Sequence, residues 1–259
     1  MTSPLPTLRD KLVSQTAFGT FIKLGRREVA EIVAAAGFDF AICDLEHSQI
    51  TYQEASHLIL AGTTCGLPII ARVASLDPGL INRLLEAGAA GIQLPQVQTR
   101  EQVTAFRNAM KYPPDGSRSI SLAQPAARYG AEPLADYILR ANRELLLVGQ
   151  LETRELELPL EDLIRGLDVV FIGILDVTLD MAVPGRFDDP QVVQRQREIE
   201  NAASEAKVQL GIYADSPTRA AQAAAAGYRY IALSSDLGAL ASGTRSWLQQ
   251  LREKSAAKA

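Results

Sequence analysis

The chain has 259 residues, 47% of them apolar and 22% charged, with a net charge of -4. That length suits a single α/β barrel of ~250 residues, so one domain over 1–259 is expected. No block of Lys and Arg marks a nucleic-acid surface, and no window reaches the ~20 apolar residues that a membrane-spanning helix needs.

Short apolar runs alternate with longer stretches of helical period. AFGTFIKL (17–24) reads as a strand, and RREVAEIVAAAG (26–37) as a helix with a stripe at Val29, Ile32, Val33 and Ala36 and a glycine stop. FDFAICDL (38–45) is a second strand, YQEASHLILAGTTCG (52–66) a helix and LPIIARV (67–73) a third strand. DPGLINRLLEAG (77–88) is a helix opened by Asp-Pro and closed by Gly88. AGIQLPQV (90–97) and REQVTAFRNAMKY (100–112) add a strand and a helix. The segment 112–133, rich in Pro, Gly, Ser and Arg, is long for a connection, and its 115–130 part is a candidate for closing the pocket of a neighbouring subunit. Helix 134–144, strand 145–152, helix 158–166, strand 167–174, helix 190–207, strand 208–214, helix 216–227, strand 228–235 and helix 236–254 complete the pattern.

Eight strands alternating with helices imply a parallel sheet closed as a single (β/α)8 TIM barrel. A doubly wound open sheet is the alternative, but G-x-G-x-x-G and G-x-x-x-x-G-K-[ST] are both absent. Cys43 and Cys65 make no disulfide framework, and the opening MTSPLPTLRDKLVSQ has no apolar leader core. A cytoplasmic protein is therefore expected.

In such a barrel, catalytic groups gather at the C-terminal ends of the strands. The second strand ends in Asp44, Glu46 and His47, the third in Arg72, the fourth in Gln93 and the fifth in Gln150 and Glu152. The sixth ends in Gly173 with Asp176 beyond, the seventh in Tyr213 and Asp215, and the eighth in Ser234, Ser235 and Asp236. No lysine is among these positions. Glu152 and Asp176, from adjacent strand ends, favour a hard cation such as Mg²⁺ or Mn²⁺. Such an ion and Arg72 facing one pocket suit a small oxygen-rich anion, for example a 2-oxo acid whose enolate both stabilise. His47 can move a proton near neutrality, and Asp44 could orient or charge-stabilise its imidazole. Each residue also has a plainer reading. Asp176 can be a helix cap, Glu152 an ion-pair partner of Arg72, and His47 a hydrogen-bonded loop residue. Asp236 is read as a cap, His57 as surface or rim packing, Cys43 as core and Cys65 as helix-end packing.

The stretches GTFIKLGRREVAEIVAAAGFDFAICDLEH, PIIARV, LLEAGAAGIQLPQV, YPPDGSRS, GQLET, DVVFIG and GYRYIALSSD resemble the HpcH/HpaI aldolase family, the class II pyruvate aldolases, over almost the whole chain. The resemblance implies cleavage of 4-hydroxy-2-oxo acids, such as 4-hydroxy-2-oxoheptanedioate, to pyruvate or a close analogue and an aldehyde, and the reverse addition. By motif it makes His47 the acid/base residue with Asp44 beside it, and Arg72 the enolate stabiliser. It makes Glu152 and Asp176 ligands of Mg²⁺ or Mn²⁺, with Co²⁺ a further option. Gln150, Gly173, Ile174 and Leu175 then line the substrate pocket. It also implies no lysine Schiff base, and a homo-oligomer: a hexamer built as a trimer of dimers, with helices exchanged between subunits. The partners are a small-molecule 2-oxo acid and an aldehyde, with neither nucleic acid nor membrane.

Three departures stand out. The family's G-P-x-D-L-S is GILDVT here (173–178), which predicts a tighter and more apolar pocket wall. Glu86 replaces Asp in LEAGA, and Ser119 replaces Gly in GSRS. Two other functions fit the same scaffold. One is a carboligase that joins an oxo-acid enolate to a different electrophile, with or without metal. The other is a non-catalytic oxo-acid-binding barrel.

Overall fold

A computed structural model describes residues 7–256; the first six residues of the opening stretch lie outside them. Eight parallel strands close in sequence order into a barrel. They are β1 (Ala17–Ile22), β2 (Phe40–Asp44), β3 (Ile69–Arg72), β4 (Gly91–Leu94), β5 (Leu146–Leu151), β6 (Val169–Ile172), β7 (Gln209–Ala214) and β8 (Tyr230–Ser235). The chain is a (β/α)8 TIM barrel, as the alternation predicts.

The period of two along each strand divides the core. Ala17, Phe21, Phe40, Ile42, Ile70, Val148, Phe171 and Tyr230 point inward and fill the barrel. Ile22, Ala41, Cys43, Ile69, Ala71, Leu147, Val170 and Ile231 point outward, against the helices. Gly19 leaves room for the Phe40 ring, which stacks on Tyr230 at 4.2 Å between centroids. The same parity carries Lys23, Asp44, Arg72 and Gln150 inward at the upper ends of their strands.

Before β1, Leu8–Ser14 forms α1, which the apolar period did not predict. Its Leu8 and Leu12, one turn apart, join the interior cluster and plug the bottom of the barrel. Helices α2 (Arg27–Ala35), α3 (Tyr52–Cys65), α4 (Pro78–Ala87), α5 (Arg100–Met110) and α6 (Leu134–Glu144) match the predicted ones. Thr51 and Thr99 start α3 and α5 with capping boxes, and Asp77 caps α4 ahead of its proline. On α3, His57 is exposed, as is Cys65 at its end.

Between α5 and α6 the chain makes a 3₁₀ segment, Pro125–Gly130. Arg118, Pro125, Ala126 and Tyr129 share a cavity with Gly66–Ile69 and Ala87–Ala90, the turns that enter β3 and β4. This part of the segment therefore lies at the N-terminal end of its own barrel, away from the rim where the strands end.

After β5 come α7 (Leu160–Leu163), α8 (Ile174–Asp180), α9 (Pro190–Ala206), α10 (Pro217–Ala225) and α11 (Asp236–Ala256). Residues 174–178, read from sequence as the strand exit and a loop, are instead the start of α8. No residue of the 21-residue α11 is buried, and Leu237, Leu240, Trp247, Leu248 and Leu251 form an exposed stripe at helical spacing. Among the described residues, no helix is long and apolar enough to cross a membrane.

One contact tests the barrel packing. A Cβ on Gly91 would lie 2.3 Å from the carbonyl oxygen of Leu146, a backbone atom that cannot rotate away. Gly91→Ala is expected to lower stability by about 1–3 kcal/mol, read from urea unfolding.

Candidate active site

The centre of the rim is one carboxylate. Asp44 ends β2 with no exposed surface and accepts five hydrogen bonds or ion pairs. Its Oδ1 takes Arg72 Nε at 2.9 Å and the backbone N–H groups of Glu46 at 3.2 Å and His47 at 3.1 Å. Its Oδ2 takes Arg72 Nη2 at 2.8 Å and Lys23 Nζ at 2.7 Å. Burial alone would raise its carboxyl, but the Arg72 fork and Lys23 overcome this and hold it at about 2. Arg72 lies with its guanidinium carbon 4.8 Å over the Phe21 ring, and its Nη1 is 3.1 Å from Glu46 Oε2. That contact lacks hydrogen-bond geometry, so the buried Glu46 oxygen has no donor. Burial raises the Glu46 carboxyl above its usual range, with Arg72 opposing and Asp44 and Asp176 adding to the rise.

A second network runs through the barrel interior. Tyr230 Oη donates to Gln93 Oε1 at 3.4 Å, and Gln93 Nε2 donates to Gln150 Oε1 at 2.6 Å. Gln150 then turns its Nε2 to Glu152 Oε2 in a short contact, while Gln96 N–H donates to Glu152 Oε1 at 2.8 Å. Gln96 has a left-handed φ of 52°, uncommon for a residue with a side chain, and this turn aims its N–H at the carboxylate. Burial raises the Glu152 carboxyl; the Gln150 and Gln96 donors oppose the rise, and the Asp176 and Glu46 charges reinforce it.

Glu46, His47, Gln96, Glu152, Thr153, Asp176, Leu179 and Asp180 line one cavity of about 380 Å³ at this rim. The sequence-predicted His47, Glu152 and Asp176 thus meet there. Arg72 and Asp44 stand behind Glu46, and Gln150 stands behind Glu152. Asp176 comes from the first turn of α8, not from a loop. Gly173 precedes that helix, Ile174 is half-buried and Leu175 is 53% exposed.

Two readings are corrected. Asp44 grips the main-chain N–H of His47 and not its imidazole, which is 62% exposed and has Nε2 3.8 Å from Glu46 Oε2. Arg72 pairs with Asp44 and Glu46, not with Glu152. Lys23, which follows β1, a strand whose end was not among those read for catalytic groups, reaches Asp44. Lys23 was legible from the inward parity of 17, 19, 21 and 23. Asp180, whose carboxylate accepts the Arg154 N–H, was also missed, as was Gln96, for which composition carries no signal.

The donor set fits a hard divalent cation. Among the described residues, no three His, Cys, Asp or Glu side chains gather closely enough to hold a metal by themselves. Two carboxylates suffice for an ion that keeps open positions for water and a chelating ligand. The mutual charge of Glu46, Glu152 and Asp176, on one cavity wall, is what such a cation would relieve. Gly173 shapes this seat: a Cβ there would lie 2.6 Å from Glu152 Cβ and 2.7 Å from Oε2.

Paired carboxylates, an arginine and an imidazole thus stand at the C-terminal rim of the barrel. The family model described as HpcH/HpaI aldolase/citrate lyase matches residues 17–242, and the chain belongs to that family, as a carbon–carbon lyase. It is 34% identical over 250 residues to a pyruvate aldolase of Rhizobium etli, covering 94% of this chain and 96% of that one. A solved HpcH/HpaI aldolase/citrate lyase family protein from Burkholderia cenocepacia superposes with a TM-score of 0.88 at 28% identity, over 95% of this chain and 98% of that one. The solved citrate synthase SbnG gives 0.87 at 25% identity, over 96% and 99%.

Two substitutions test this geometry. Asp44→Asn leaves the Arg72 and Lys23 charges without their shared counter-ion, so unfolding free energy should fall by about 3–5 kcal/mol in denaturant titration. Gly173→Ala should push Glu152 out of place and weaken Mn²⁺ binding on the order of 10- to 100-fold, measured by the EPR signal of free Mn²⁺. In the unsubstituted protein, Mn²⁺ affinity should fall as the pH is lowered, because protons compete with the ion for the Glu152 carboxyl, which burial raises.

Proposed function

We propose that the chain is a class II 2-oxo-acid aldolase, which cleaves 4-hydroxy-2-oxo acids to pyruvate or a close analogue and an aldehyde, and runs the reverse addition. The observation that carries this is the shared cavity of His47, Glu46, Glu152 and Asp176, backed by an arginine locked on Asp44. Glu152 and Asp176 would hold Mg²⁺ or Mn²⁺, with Co²⁺ a further option. When bound, the ion supplies positive charge to the carboxylate and 2-oxo oxygens of the substrate.

The chain's own residues do the rest. Arg72 cannot swing, because Asp44 holds two of its nitrogens; it presents a fixed charge as the 2-oxo oxygen becomes an enolate oxygen. His47 takes the proton of the 4-hydroxyl group during cleavage and returns it during addition, directly or through a water. Its main chain is anchored by Asp44 while its imidazole stays open to the cavity, which suits a group that must reach an incoming hydroxyl. Gln150 fixes Glu152 as a hydrogen-bond acceptor, and Gly173 gives it room. Ile174 and Leu175 stand where the family has its proline-containing turn, beside Asp176 at the start of α8, and make that side of the rim more apolar.

The enzyme works as a homo-oligomer, a trimer of dimers with exchanged helices; the exposed apolar stripe of α11 supports this. The free thiols of Cys43 and Cys65 suit a cytoplasmic setting. A carboligase is the second reading, favoured by the apolar start of α8 and the likeness to SbnG.

Pyruvate and glycolaldehyde with Mn²⁺ are expected to give a 4-hydroxy-2-oxo acid, detected by mass spectrometry. Excess EDTA or Glu152→Ala should abolish it with the circular dichroism spectrum unchanged, and Arg72→Ala should slow it about 10²- to 10³-fold. Product formed at full rate in EDTA contradicts the metal-dependent aldolase. Adducts formed only with non-aldehyde electrophiles select the carboligase.

A further inference from the structure

Lys23 brings a second cation to the rim, and the aldolase chemistry described above assigns it no task. It follows β1 on the inward-facing parity, and its side chain is 24% exposed. Its Nζ lies 2.7 Å from Asp44 Oδ2 and donates to the carbonyl oxygen of His47 at 3.1 Å. Its position is built in from behind: the Lys23 N–H donates to both oxygens of Asp236 at 3.0 Å, and the Leu24 N–H to Oδ2 at 2.9 Å. Asp236 is therefore more than the helix cap read from sequence; it fastens the exit of β1 so that the lysine reaches Asp44.

The charges explain why a lysine would be held there. Asp44, Glu46, Glu152, Asp176 and Asp180 are five carboxylates; Arg72 and Lys23 are two cations. With all of them ionised the site carries a net charge of -3, which one divalent cation lowers to -1. An anionic oxo acid then meets only that residual charge, and the charge that grows on its enolate faces two fixed cations. Without Lys23, the same site with its cation would carry -2 and repel both more strongly.

We infer that Lys23 is a positioning residue that sets the charge of the site through Asp44, strengthening the binding of the anionic oxo acid and weakening that of the metal. This rests on the aldolase reading above. It has an unusual signature, because loss of the lysine charge should move the two affinities in opposite directions. A lysine that merely props the loop at 44–48 would, when lost, weaken both.

The test uses the full chain with Lys23→Gln, which keeps a donor near Asp44 but no charge, and Lys23→Arg, which restores the charge. Mn²⁺ affinity without substrate is read from the EPR signal of free Mn²⁺, and the pyruvate KM from aldol addition at saturating Mn²⁺. Lys23→Gln is expected to bind Mn²⁺ on the order of 3- to 10-fold more tightly and to raise the pyruvate KM by a similar factor. Lys23→Arg should return both toward the parent values. Unchanged or weaker Mn²⁺ binding in Lys23→Gln, with the parent binding Mn²⁺ and forming product, overturns the inference alone. A parent that neither binds Mn²⁺ nor forms product overturns the aldolase reading and this inference with it. Trapping of a pyruvate adduct on Lys23 by borohydride also overturns it, because the lysine would then be a nucleophile.

Discussion

A fully buried carboxylate is costly unless its charge is matched and its lone pairs are filled, and Asp44 meets both conditions. Its donors come from four places: the side chain after β1, the guanidinium that ends β3, and two successive backbone N–H groups of its own following loop. One anion thereby fixes three neighbouring strand ends and the path of the chain toward His47. Removing it would release Arg72 and Lys23 together. The rigidity of the arginine is thus a consequence of where a buried charge must find its partners.

The glutamine network does a parallel task on the opposite wall. Gln93 and Gln150 pass a donor direction from the barrel interior to Glu152, so the carboxylate is met by N–H groups on the protein side and left open on the cavity side. Gln96 contributes the second donor only because its backbone takes a left-handed turn. Gly173 is small because Glu152 occupies the space that a side chain there would fill. Two clamps, one around Asp44 and one around Glu152, each hold a buried carboxylate by the donors around it.

Much of this was legible in the chain. The apolar run of β2 ending in Asp44, Glu46 and His47 marked the rim, and the eight-fold alternation marked the barrel. Partners were harder to read than positions. Asp44 and His47 are three residues apart, but the loop turns so that the contact is to the main chain, which spacing does not reveal. Lys23 went unread because the first strand, although read over 17–24, was left out when the strand ends were read for catalytic groups. The seven-residue α1 has too few turns to show a period, and α8 begins where an apolar strand was read to run on. Gln96 is visible only through its φ angle, which no residue type signals except glycine.

The direct test of the account is deuterium exchange into the methyl group of pyruvate, followed by proton NMR in D₂O with Mn²⁺ and then with EDTA. It reads enolate formation without any choice of aldehyde. The account predicts exchange that requires both the metal and Glu152, and stops in EDTA. Exchange that persists in EDTA or in Glu152→Ala, or none with any divalent ion, would contradict it.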